Sequence, residues 1–85
     1  MINQLEILKK RLKYRASYRG TKEMDILLGA FVNKYIDTFD EELLEELEKF
    51  LEFEDEIILN FYHYNIVQKK IMDNKISVLF KNFKI

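Results

Sequence analysis

The chain has 85 residues, 48% of them hydrophobic, a length that supports one core and would leave two cores each too small to offset chain entropy. Lys and Arg number 14 against 15 Asp and Glu, a formal net charge of -1, so there is no general excess of positive charge to displace counterions from a phosphate backbone, and nucleic acid is not expected as a partner. Cysteine is absent, which removes disulfides, thiolate nucleophiles and Cys-based zinc sites together.

The longest apolar runs are too short to span a bilayer, so no membrane insertion is expected. Glu6 arrives almost at once and an amphipathic pattern starts at Ile2, which argues against an Arg-rich, acid-poor transit segment and makes the bacterial cytoplasm the expected compartment. Proline is absent and glycine occurs only at Gly20 and Gly29. Long side chains of good helix propensity dominate, so the whole chain is expected to form one all-α domain over residues 1–85.

Leu5, Leu8 and Leu12 share one face of a first helix running roughly from Ile2 to Ala16, with Lys9, Lys10 and Lys13 pointing elsewhere. Gly20 interrupts that pattern. Thr21 can cap a second helix whose first turn carries Glu23 and Asp25 at its positive dipole end, and Met24, Leu27, Leu28, Phe31 and Tyr35 give that helix its apolar face. Thr38 and Glu41 have the spacing of a capping box while Asp40 is a competing N-cap, and either starts a third helix near the same point. Its core face is Leu43, Leu44, Leu47, Phe50 and Leu51. A short fourth helix is expected to begin after Asp55 and bury some of Ile57, Ile58, Phe61 and Tyr62. The last segment, from Asn65 onward, carries Ile66, Ile71, Leu79, Phe80 and Phe83, with a possible break between Asp73 and Lys75.

Few of these residues suggest chemistry. His63 is the only histidine, and a metal site needs about three or four convergent ligands, so His63 reads as a partly exposed residue beside Tyr62 and Tyr64 and no metal is expected. Asp40, Glu41, Glu42, Glu45, Glu46 and Glu48 alternate with Leu43, Leu44 and Leu47 as a solvated helix face does. Nothing predicts the opposed environments that paired catalytic carboxylates require. Ser17 and Ser77 lack a Gly-x-Ser-x-Gly elbow, neither glycine belongs to a phosphate-cradling loop, and no catalytic residue is assigned. Basic residues run from Lys9 to Arg19 and acidic ones from Asp37 to Glu56; this segregation favours an oriented protein partner.

One segment is not accounted for by packing alone. In Arg19-Gly20-Thr21-Lys22-Glu23-Met24-Asp25, an arginine and two carboxylates crowd a helix start around a glycine, where backbone can approach a partner closely. A charged interhelical turn is the plainer account of the same residues. The segment resembles the hallmark Arg-Gly-x-x-Glu-x-Asp of the succinate dehydrogenase FAD assembly factor family, met by Arg19, Gly20, Glu23 and Asp25. Lys10-Arg11-Leu12-x-Tyr14-Arg15 before it and Leu28-Gly29-x-Phe31 after it widen the likeness, which extends over roughly residues 10 to 62. Around the fourth helix the chain departs from the family, with Glu54, Ile57 and Phe61 where proline, aspartate and tryptophan are common, and Tyr18 where arginine or histidine often stands.

The resemblance implies a compact bundle of about five helices and no enzymatic activity or cofactor of its own. It implies binding to the flavoprotein subunit of succinate dehydrogenase, with fumarate reductase as a possible further client, and promotion of the bond between that subunit's histidine and FAD. The partner-binding residues it implies are Arg19, Gly20, Glu23, Asp25, Tyr14 and Arg15. Arg19 and Glu23 are expected to make charge-assisted contacts and Gly20 to admit the partner's backbone; Asp25 is expected either to touch the partner or, the favoured role, to hold Arg19 and the helix start. A generic helical adaptor is the alternative reading, with a helix-turn-helix DNA-binding protein behind it.

Overall fold

The helix starts are set by side chains that accept hydrogen bonds from otherwise unsatisfied backbone N–H groups. In the computed structural model, which describes residues 3–66, 71 and 73–84, Asn3 caps α1 (Gln4–Ser17) by accepting from Glu6 N, and Thr21 caps α2 (Lys22–Tyr35) by accepting from Met24 N. A 3₁₀ turn, Ile36–Thr38, follows. Asp40 caps α3 (Glu41–Leu51) through Leu43 N, which decides between the two candidate caps: the Thr38 hydroxyl is spent donating to the Tyr35 carbonyl. α4 (Asp55–Tyr64) and α5 (Lys75–Lys81) complete an all-α bundle of five helices among the described residues. Ile2, expected at the head of α1, lies outside the described residues.

One boundary differs from expectation. α4 begins at Asp55 rather than after it, and Glu54 precedes it without a side-chain cap, because the Asp55 carboxylate is drawn to Arg19. In the last segment, Asn74 is buried and caps α5 by accepting from Ile76 N while donating to the Glu46 carbonyl of α3. The expected break therefore exists and is itself anchored. α4 ends at Asn65 in left-handed backbone (φ 57°), and Ile66 N–H returns to the Asn60 carbonyl, a closure asparagine tolerates better than branched residues.

The core gathers the predicted apolar faces: Leu12 from α1; Met24, Leu27, Leu28 and Phe31 from α2; Leu44, Leu47, Phe50 and Leu51 from α3; Ile58 and Phe61 from α4. Leu5, on the apolar face expected of α1, is exposed, as are Ile66 and Leu79 of the last segment. Phe80 of α5 lies at the centre, with ring centroids 5.2 Å from Phe31, 5.3 Å from Phe50 and 4.9 Å from Tyr62, and Phe31 also meets Phe83 edge-on at 5.4 Å. Each such pair contributes on the order of 1 kcal/mol beyond its buried area, so the short α5 locks α2, α3 and α4 together. The Tyr62 hydroxyl donates to the Phe83 carbonyl and Lys81 Nζ to the Tyr62 carbonyl.

α1 crosses α2 closely at Gly29, where a Cβ would lie 3.2 Å from Ser17 Oγ. Part of the charge segregation along the chain is consumed inside the fold. Arg11 pairs with Glu48 at 3.0 Å, Lys9 with Asp37 at 3.8 Å and Arg19 with Asp55 at 2.8 Å, so basic α1 is matched to acidic residues of the middle of the chain before any partner is considered. Lys75 at the start of α5 bonds Glu42 of α3, and that hydrogen bond and charge raise the ammonium pKa above its ordinary value. The radius of gyration, 12.4 Å, is close to the roughly 12 Å of a compact chain of this length.

Candidate functional site

The turn between α1 and α2 is built by one carboxylate and one guanidinium. Asp25, one turn into α2, accepts from the backbone N–H groups of Arg19 (2.5 Å) and Gly20 (3.3 Å) through the same oxygen. It thus clamps the chain that precedes its own helix. Gly20 has φ +110°, a left-handed backbone that a side chain would strain, and a Cβ there would meet nothing within 4 Å. The glycine is required by conformation, and the space above it is open.

Arg19 points the other way. Its side chain is only 10% exposed; Nε donates to Asp55 Oδ1 at 2.9 Å, Nη2 to the Phe53 carbonyl at 2.7 Å and Nη1 to the Leu51 carbonyl. Carbonyls at the end of a helix have no partner within it, and the planar guanidinium satisfies that of Leu51 and the Phe53 carbonyl of the α3–α4 connection while neutralising the carboxylate at the start of the next helix. The Arg19 side-chain donors are thus turned inward, pinning the α1–α2 turn to the α3–α4 corner. Asp25 holds the turn as expected, through the backbone of Arg19 rather than its side chain.

The remaining candidate residues lie on the open side of this brace. Tyr14 and Tyr18, both about two-thirds exposed (66% and 68%), sit one helical turn apart with ring centroids 4.6 Å from each other. With the half-buried Arg15, they form one wall of an open groove of about 550 Å³ whose other wall is Leu51, Glu54, Asp55 and Glu56. Glu23 extends from the first turn of α2, its side chain 62% exposed, and meets His63 Nε2 of α4 at 3.2 Å. That pairing, 40 residues apart in sequence, has no sequence signal, nor does the Arg19 to Asp55 link, and in the sequence Tyr18 stands out only as a departure from the family pattern.

The surface so assembled is suited to recognition. It offers an exposed tyrosine pair, a residue type enriched at protein interfaces, together with an unobstructed glycine backbone and a reachable carboxylate on a braced corner. Ser77, buried, donates to the Asn74 carbonyl, and among the described residues no group of three His, Cys, Asp or Glu is placed to hold a metal ion. No described helix is long and apolar enough to cross a membrane.

The family model described as "Flavinator of succinate dehydrogenase" matches residues 10–84. The chain belongs to this family. The match takes in the braced turn, and it runs past Tyr62 to include α5 and the residues after it, whose Phe80 and Phe83 complete the core. Among curated relatives, the chain is 45% identical over 53 residues to an FAD assembly factor SdhE from Acetobacter pasteurianus, covering 62% of this chain and 49% of the relative. It is 40% identical over 48 residues to a mitochondrial succinate dehydrogenase assembly factor 2 from Scheffersomyces stipitis, covering 56% and 32%. The corresponding Drosophila willistoni factor 2-A is 50% identical over 38 residues, covering 45% and 24%. The aligned parts thus span half or less of these relatives' lengths. No solved structure matches the chain.

Proposed function

We propose that this chain is an assembly factor that binds the flavoprotein subunit of succinate dehydrogenase and promotes covalent attachment of FAD to it, without being an enzyme or holding a cofactor itself. Membership of the flavinator family supports the process. The observation that supports the reading at the level of residues is the brace: Arg19 and Asp25 are committed internally, while the Gly20 backbone, Glu23, Tyr14 and Tyr18 are exposed around the turn they fix. Rigid presentation of a few contacts reduces the ordering cost of docking.

In this account Gly20 lets the partner's backbone come close, Glu23 accepts hydrogen bonds from it, and Tyr14 and Arg15 widen the contact. Arg19 and Asp25 are positioning residues. The groups that join FAD to the subunit belong to the partner and the flavin; the factor contributes by favouring a conformation of the flavoprotein in which they are aligned. Residues 1–85 act as one domain in the bacterial cytoplasm, and the fumarate reductase flavoprotein is a further candidate client.

The test is to co-express the flavoprotein subunit with and without this chain and read covalent flavin by in-gel fluorescence after denaturation. Flavin fluorescence on the subunit that rises with co-expression supports the proposal. Equal fluorescence in a host lacking any other factor contradicts it.

A further inference from the structure

The carboxylate of Glu23 is only partly free. An ionised carboxylate can only accept hydrogen bonds, so the His63 nitrogen 3.2 Å from Glu23 Oε2 is the one that carries hydrogen, whether the ring is neutral or charged. The ring is itself steadied by its neighbours on α4, with centroids 5.2 Å from Tyr62 and 5.9 Å from Tyr64. Tyr62 is in turn tied to the core, stacking against Phe80 and donating to the Phe83 carbonyl. Glu56, Leu59 and Asn60 line the same hollow on the α4 side.

We propose that His63 is a positioning residue for Glu23, holding one carboxylate oxygen so that the other is presented to a hydrogen-bond donor, a backbone N–H or a basic side chain, of the flavoprotein; this rests on the docking role given to Glu23 above. The pair leaves 62% of the Glu23 side chain exposed, so the hold does not bury the group it fixes. Oε1 has no protein partner among the described residues. Glutamate has three side-chain torsions to order on docking, and a contact made beforehand removes part of that cost. The donor comes from the far end of α4, at the one histidine of the chain.

The experiment is a calorimetric titration of purified flavoprotein subunit with the wild-type chain, Glu23→Ala, His63→Ala, His63→Gln and the Glu23→Ala/His63→Ala double variant. For an exposed pair the expected weakening for His63→Ala is on the order of twofold to fivefold in Kd. His63→Gln, which keeps an N–H donor at comparable reach, restores most of it. The double variant binds no more weakly than Glu23→Ala alone, a coupling that a merely structural role of His63 would not produce. Unfolding midpoints measured alongside report any loss of fold, and His63→Gln keeps the comparison decisive if His63→Ala unfolds. Equal affinity of wild type and His63→Ala, or additive effects in the double variant, overturns the inference while leaving the docking proposal standing. No binding by the wild type overturns the docking proposal itself.

Discussion

Replacing Arg19 by alanine should unfold the protein more readily before it alters any surface a partner could touch. The substitution leaves the Asp55 carboxylate, 29% exposed, without its cation, and the Leu51 and Phe53 carbonyls without their donors. Stranding one member of a fully buried ion pair costs about 3–5 kcal/mol; residual hydration of Asp55 reduces this to about 2–4 kcal/mol. A chain of this length has a total stability of roughly 4–13 kcal/mol, so a large part of it is at stake. The midpoint of thermal unfolding should fall by roughly 10–30 °C, and urea titration should show the loss at unchanged slope. Asp55→Ala should be less harmful in the Arg19→Ala background than alone, since its partner is already gone. An Arg19→Ala midpoint within about 2 °C of wild type would refute the internal brace and return Arg19 to the surface.

Other substitutions separate the turn from the core. Gly20→Ala should destabilise by about 1–3 kcal/mol through its backbone conformation alone, because no atom obstructs the new methyl group; a neutral urea midpoint would contradict that. Asp25→Ala should cost a further 1 to 3 kcal/mol, roughly, by freeing two backbone donors, and should raise amide exchange at Arg19 and Gly20. Phe80→Ala should remove about 3–5 kcal/mol, matching the loss of three ring contacts at once; a smaller loss than for the exposed Leu79→Ala would contradict its central place. Arg19→Lys should recover only a minor share of stability, as an ammonium cannot reach two carbonyls and a carboxylate with a planar fork.

The helices were readable because their signals are local. Apolar spacing in α2 and α3 agrees with what is buried, and polar residues placed just ahead of the apolar runs mark the starts. Legibility ended where a side chain's choice depended on distant residues. Asp55 has the form of an N-cap, but Arg19, 36 positions earlier, draws its carboxylate away. Leu5 carries the right spacing and stays exposed, since periodicity shows which face is apolar and not whether a neighbour reaches that turn. Within the candidate site, the Arg-Gly segment was visible as a motif, and its sequence placed the arginine beside the exposed glycine. Only the fold shows the two diverging, the glycine toward solvent and the guanidinium toward the α3–α4 corner.

The central claim is that the edge carrying Gly20 docks on the flavoprotein subunit of succinate dehydrogenase. Gly20→Arg introduces bulk into the open space above the turn, and its fold can be verified by circular dichroism. Titrated by calorimetry into the purified flavoprotein subunit beside the wild-type chain, the folded variant should give no binding heat where wild type saturates. Indistinguishable dissociation constants for the two would contradict the claim.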